Sequence, residues 1–67
     1  MIEVTVNGKL REVDDRQTIL GFLQLCDLLP RMVVVEQNGV IVPRDQYGDV
    51  QLSSGDNLEI VQMMAGG

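Results

Sequence analysis

Residues 2–13, IEVTVNGKLREV, alternate apolar and polar positions on either side of an Asn-Gly pair. Ile2, Val4 and Val6 recur at every second residue, the period of a strand with one buried face. Asn7-Gly8 supplies the two positive-φ residues of a type I′ turn, so a two-residue hairpin is predicted. Its register sets Val6 against Lys9, Val4 against Arg11 and Ile2 against Val13. Lys9 and Arg11 must then lay their methylene stems along the inner face and reach out to water. Leu10 falls on the outer face beside Thr5.

The apolar period changes in QTILGFLQLCDLLP. Ile19, Phe22, Leu23 and Cys26 have i, i+3, i+4, i+7 spacing and form one helical stripe. Thr18 is a good N-cap, and Asp14 and Asp15 just upstream suit turn and helix-entry positions. Pro30 is expected to end the helix, because the residue before a proline is pushed out of the helical region. Cys26 is expected in the core, as a small hydrophobe. Leu20 and Leu25 fall off the stripe. Gly21 costs a helix about 1 kcal/mol against alanine, and the sequence offers no firm reason for it.

Alternation returns in RMVVVEQNGVIVP. Val33 and Val35 share one face, Val34 and Glu36 the other, and Asn38-Gly39 marks a turn into a second short strand. Residues 43–56, PRDQYGDVQLSSGD, hold too many turn formers for a long element. An irregular crossover with one short helical turn is predicted there, anchored by Tyr47 and Leu52 and closed by a tight turn at Ser54-Gly55-Asp56. NLEIVQMM is the last strand, with Leu58 and Ile60 inward and Glu59, Val61 and Met63 outward. It is apolar enough to lie centrally, beside the first strand. One helix across one face of a small mixed sheet buries all these stripes economically. The predicted class is α+β, a ubiquitin-like β-grasp forming one domain over residues 1–67, with 64–67 as a flexible C-terminal tail.

Composition narrows the function. Sixty-seven residues leave no room for a deep cleft with walls of its own. The net charge is −5, with the five bases Lys9, Arg11, Arg16, Arg31 and Arg44 scattered. Nucleic acid is therefore not expected as a partner, since affinity there comes from neutralising phosphates. An acidic surface suits a partner with a basic docking face. The single cysteine precludes an intramolecular disulfide, and no leader or membrane span is visible, so a reducing cytoplasm is the expected home. The absence of histidine removes Ser-His-Asp and Cys-His catalysis and the usual zinc sets. An enzyme, a resident cofactor and a metal site are not expected. Asp14 and Asp15 cannot complete a metal site unaided.

The sequence finishes with Gly66-Gly67 directly after a strand. Together with VNG (6–8), QTILGFL (17–23), VVVEQNGVIVPR (33–44), SGDNLEIVQ (54–62) and AGG (65–67), this resembles the ThiS-type sulfur carriers of thiamine (thiazole) biosynthesis, over essentially the whole chain. The resemblance implies that the Gly67 carboxylate is adenylated with ATP by a ThiF-like activating enzyme. It is then converted to a thiocarboxylate with sulfur from a donor protein, and delivers that sulfur to a ThiG-like thiazole synthase. Gly66 and Ala65 would thread into the partner, where a bare backbone can approach closely. Many relatives of this type end in three glycines; here Ala65 precedes two. A MoaD-like small subunit of molybdopterin synthase, carriers for other sulfur pathways, and a ubiquitin-like modifier or interaction module share this terminus and stay open. Val34, Val61 and Met63 form a candidate apolar docking patch beside the tail, and Glu59 a candidate contact for basic partner residues. Arg44, after Pro43, is equally a docking residue or one that orients the loop after it.

Overall fold

The computed structural model describes residues 1–63. Its elements run β1 (Ile2–Val6), β2 (Lys9–Val13), α1 (Ile19–Leu25), a 3-10 turn (Pro30–Met32), β3 (Val33–Gln37), β4 (Val40–Ile41), a second 3-10 turn (Arg44–Gln46) and β5 (Asn57–Gln62). The five strands form one sheet in the order β2-β1-β5-β3-β4. β5 lies at its centre, parallel to β1 and antiparallel to β3.

The hairpin has the register its Asn-Gly turn dictates, with Val6 opposite Lys9, Val4 opposite Arg11 and Ile2 opposite Val13. Asn7 and Gly8 both hold positive φ, 50° and 83°. Val4 and Val13 are buried, whereas Ile2 and Val6, nearer the rim, are only half-buried. Leu10 stands in solvent opposite Thr5.

One core holds the fold together, between α1 and the inner sheet face. Ile19, Phe22 and Leu23 pack on Val4, Val33, Val35 and Leu58, with Tyr47 and Leu52 closing the side. Burying each of these side chains contributes about 1.5–3 kcal/mol. Thr18 caps the helix as expected, its hydroxyl accepting from the Gly21 N–H at 3.0 Å. A Cβ at Gly21 would meet the end of the Gln17 side chain, which can swing aside, and would sit tightly against the capping hydroxyl.

The helix does not run to Pro30. It stops at Leu25, and Asp27 takes the left-handed conformation with φ 58°. The Leu28 N–H then donates to the Leu23 carbonyl at 2.9 Å and the Asp27 N–H to the Gln24 carbonyl at 3.2 Å. This is a Schellman ending with aspartate where glycine is commoner. Pro30 instead starts the 3-10 turn that leads into β3. Cys26 consequently sits at the helix end, half-buried against the core rather than inside it.

The crossover after β4 is irregular with one 3-10 turn, as its turn formers indicate. It is strapped to the helix entry by backbone bonds from Ile19 N to Val50 O, Leu20 N to Tyr47 O and Leu52 N to Gln17 O. The Tyr47 ring is buried, and its hydroxyl donates to the Val33 carbonyl at 3.3 Å. Leu20 half-covers this strap, its methyl facing Gly48, and Leu25 is exposed.

Candidate functional site

The carrier positions inferred from sequence, Gly67, Gly66 and Ala65, lie outside the described residues. What the structure gives is the strand that precedes them in sequence, β5, and the sheet around it. Leu58 is fully buried and Ile60 half-buried on the helix side, while Glu59, Val61 and Met63 alternate to the open face. Val61 stands directly opposite Val34 on β3. Val61 is 60% and Met63 41% exposed, which leaves apolar surface near the end of β5. Met63 is fixed there by its N–H, which donates to the Met32 carbonyl at 2.7 Å.

One further patch residue was not evident from the sequence. Ile41 on β4 is opposite Glu36, which is opposite Glu59. All three therefore share the open face, and Ile41 is exposed. The signal was present in the two-residue Asn38-Gly39 turn, whose hairpin register brings Ile41 across from Glu36.

Acids border this patch and recur on the rest of the open face. Glu59 faces Glu36, and on the other wing of the sheet Glu3 faces Glu12. Like charges directly opposite one another on a sheet destabilise it. The open face thus carries two such pairs, and the bases of the hairpin, Lys9 and Arg11, are on the helix side.

Arg44 does not reach this face freely. Its Nε donates to the Pro30 carbonyl at 3.0 Å and a terminal nitrogen to the Val33 carbonyl at 3.4 Å. It ties the crossover to the start of β3, beside the Tyr47 hydroxyl on the same Val33 carbonyl. Of the two roles open to it, the observed bonds are those of a residue that orients the loop.

Two polar devices fix β5 in place. The Asn7 amide pairs with Ile60 as a backbone unit would, its Oδ1 accepting from Ile60 N at 2.8 Å and its Nδ2 donating to Ile60 O at 3.1 Å. The parallel β1–β5 ladder thereby extends past the end of β1. Below it, Asp56 is only 8% exposed. Its carboxylate accepts from Gln37 Nε2 at 2.9 Å, Asn38 Nδ2 at 3.0 Å and Ser53 N at 2.8 Å. Burial pushes this carboxyl up, but the bonds from Asn38, Ser53 and Gln37 outweigh that and hold it below the usual range. Asn38 in turn accepts from the Asn57 N–H at 2.9 Å through its Oδ1. Periodicity cannot reveal either device, since both asparagines read simply as turn residues.

Among the described residues no group of three or more metal-ligating side chains comes together, and no helix is long and apolar enough to cross a membrane. Asp14 caps its own turn, its carboxylate accepting from Arg16 N at 2.8 Å, and Asp15 pairs with the Met1 amino group.

With this geometry in hand, the likeness to known proteins is consistent across sequence and structure. The ThiS family model matches residues 4–67. The sulfur carrier protein ThiS of Bacillus subtilis is 35% identical over 63 residues, covering 92% of this chain and 96% of that protein. A crystal structure of the thiamine biosynthesis protein ThiS from Geobacter metallireducens superposes with a TM-score of 0.82 at 29% identity, covering 98% of this chain and all of that one. Thiazole synthases of Paramagnetospirillum magneticum and Magnetococcus marinus also match, at 35% and 32% identity over 66 residues. This chain spans only 20% of the length of each. From the extent of the family match and the shared β-grasp, the chain belongs to the ThiS family.

Proposed function

We propose that this chain is a sulfur carrier of thiamine (thiazole) biosynthesis and that the Gly67 carboxylate is its working group. The observation that carries the reading is the family match, which runs through the terminal Gly66-Gly67. A carboxylate is a poor electrophile and holds no sulfur. Attack of its oxygen on the α-phosphorus of ATP expels pyrophosphate and leaves an acyl-adenylate. Sulfide, released at the site by a donor protein, then adds to the carbonyl carbon and AMP departs, giving a thiocarboxylate and a proton. Its sulfur is a soft nucleophile for the acceptor.

The catalytic groups for these steps belong to partners: a ThiF-like adenylating enzyme, a sulfur donor and a thiazole synthase. ATP is the activating enzyme's substrate and not a resident of this chain. Support for thiazole synthase as acceptor comes from the two synthases in which a segment similar to this chain occupies a fifth of the length. Gly66 and Ala65 carry the carbonyl into a narrow partner channel, where glycine at the reacting end avoids a Cβ clash. Positioned N–H donors in the partner stabilise the oxyanion of each acyl transfer. The patch of Val34, Val61 and Met63, with Glu59 at its edge, is the docking surface, and methionine adapts to more than one partner there.

Intact mass tests the reading. Incubated with its activating enzyme, ATP and a sulfur source, the chain should gain the difference between one sulfur and one oxygen. Deleting Gly67 should abolish the gain. A chain that instead appears linked to lysines of other proteins is a modifier, and one that gains the same mass without Gly67 carries its sulfur elsewhere.

A further inference from the structure

On the helix side of the sheet, away from the docking patch, lies a cavity of about 320 Å³ that opens to solvent along one side. Its apolar lining includes Phe22, Leu28 and Ile60, and Lys9 and Arg11 line it from the hairpin. Its lining contains no carboxylate. The Arg11 guanidinium carbon is 5.4 Å from the centre of the Phe22 ring, so that cation is held over the apolar floor. Among the described residues neither Lys9 nor Arg11 has an ion-pair partner. The hairpin register explains how two bases reach this spot: Lys9 and Arg11 pair with Val6 and Val4, and so share their inward face.

Two free cations over an apolar hollow, in a chain of net charge −5, form a local inversion of the molecule's electrostatics. A guest that satisfies both parts has an apolar body and a flanking carboxylate. Small-molecule pockets enclose most of their ligand. This hollow is open along a side, so a free small molecule would stay largely in water. A side chain delivered on a protein surface needs no such enclosure. We propose that the cavity seats an acidic–aromatic segment of a partner protein, its ring on Phe22, Leu28 and Ile60 and its carboxylates on Lys9 and Arg11. This contact is distinct from the open-face patch, and the proposal does not depend on the sulfur-carrier reading.

Cys26, the chain's one cysteine, lines the same cavity and reports its occupancy. The probe is the peptide acetyl-Glu-Phe-Glu-amide, and the readout is the rate of Cys26 alkylation by iodoacetamide, followed by intact mass. At five times its Kd the peptide should slow alkylation about sixfold, the mass-action factor for a site it occludes. The K9Q/R11Q double variant should lose this protection, and K9Q alone, which spares the Arg11–Phe22 contact, should weaken it. Both bases are exposed, so the amide spectrum of either variant should retain the parent's dispersion. No protection at about 10 mM peptide, ten times a Kd of about 1 mM, would overturn the proposal. So would equal protection by acetyl-Lys-Phe-Lys-amide, undiminished protection in K9Q/R11Q, or phenylacetate binding as well as the peptide, which marks a small-molecule pocket.

Discussion

Replacing Asp56 with alanine removes the acceptor of three hydrogen bonds at once, from Gln37, Asn38 and Ser53. Hydrogen bonds to a charged group contribute roughly 1.5 kcal/mol each at the low end, so three give a gross figure of about 4.5 kcal/mol at that end. The carboxylate is itself desolvated and sits in an acidic chain, which offsets part of that. A loss of about 2–4 kcal/mol is expected for Asp56→Ala, against a total of roughly 3–10 kcal/mol for a chain this long. In thermal unfolding this is a drop of at least about 8 °C.

Asp56→Asn is milder and more diagnostic. Oδ2 accepts from both Gln37 and Ser53, so the new amide oxygen is best placed there and the new NH2 faces Asn38 Nδ2. Asn38 cannot flip to relieve this donor–donor contact, because its Oδ1 already accepts from Asn57 N. One lost bond and one clash cost about 1–2 kcal/mol. The pH dependence has a fixed sign. The folded carboxyl titrates below its unfolded value near 3.9, so its stabilisation is complete above about pH 4 and is lost as pH falls through the depressed folded value. Urea midpoints measured from pH 6 to pH 2 should fall less steeply in Asp56→Asn than in the parent. An alanine variant melting within about 3 °C of the parent would refute the reasoning, as would parallel pH profiles for the two proteins.

Further outcomes follow from other contacts. Asn7→Ala removes both bonds to Ile60, and should cost about 1–2 kcal/mol and speed hydrogen exchange at the Ile60 amide before others in β5. Arg44→Ala frees the Pro30 carbonyl and leaves the Val33 carbonyl to the Tyr47 hydroxyl alone, and should lower stability by roughly 1 kcal/mol while leaving sulfur loading at saturating partner unchanged; a loading defect in a folded variant would make it a docking residue instead. Glu59→Gln relieves the like-charge pair with Glu36 and should stabilise the fold by up to ~0.5 kcal/mol, yet slow association with a basic partner in a salt-sensitive way. Val61→Asp, at an exposed position, should leave the melting curve nearly in place and reduce loading, read as mass gain at limiting activating enzyme.

The hairpin register was legible because a two-residue turn leaves only one pairing and alternation leaves only one face. The same alternation placed Leu58 inward and Val61 outward, while the apolar character of the last strand pointed to its central position. The helix end was misread for a physical reason. Pro30 is a strong stop, but the left-handed Asp27 acts first, and aspartate in that role has no sequence signature as clear as glycine. Cys26 followed from that error: it keeps its place on the stripe but sits where the helix has already ended. The chemistry of Asn7, Asn38 and Asp56 was illegible because each bonds across more than fifteen residues of sequence, to partners that only the closed sheet brings near. Arg44 reaches its two carbonyls over shorter spans, 14 and 11 residues, but these too meet only once the crossover has folded back on β3. The tail residues, by contrast, were conspicuous from the sequence alone and are where the proposed chemistry resides.

The central position of β5 has a mechanical consequence. An edge strand pulled from its end can peel away one bond at a time. β5 is bonded on both flanks, to β1 and Asn7 on one side and to β3 on the other, and its pull axis lies along the ladders. Traction applied beyond Met63 by an enzyme drawing the chain inward would load these bonds together in shear. Under the proposed capture of the tail by a partner, the body would be loaded without the stepwise peeling open to an edge strand.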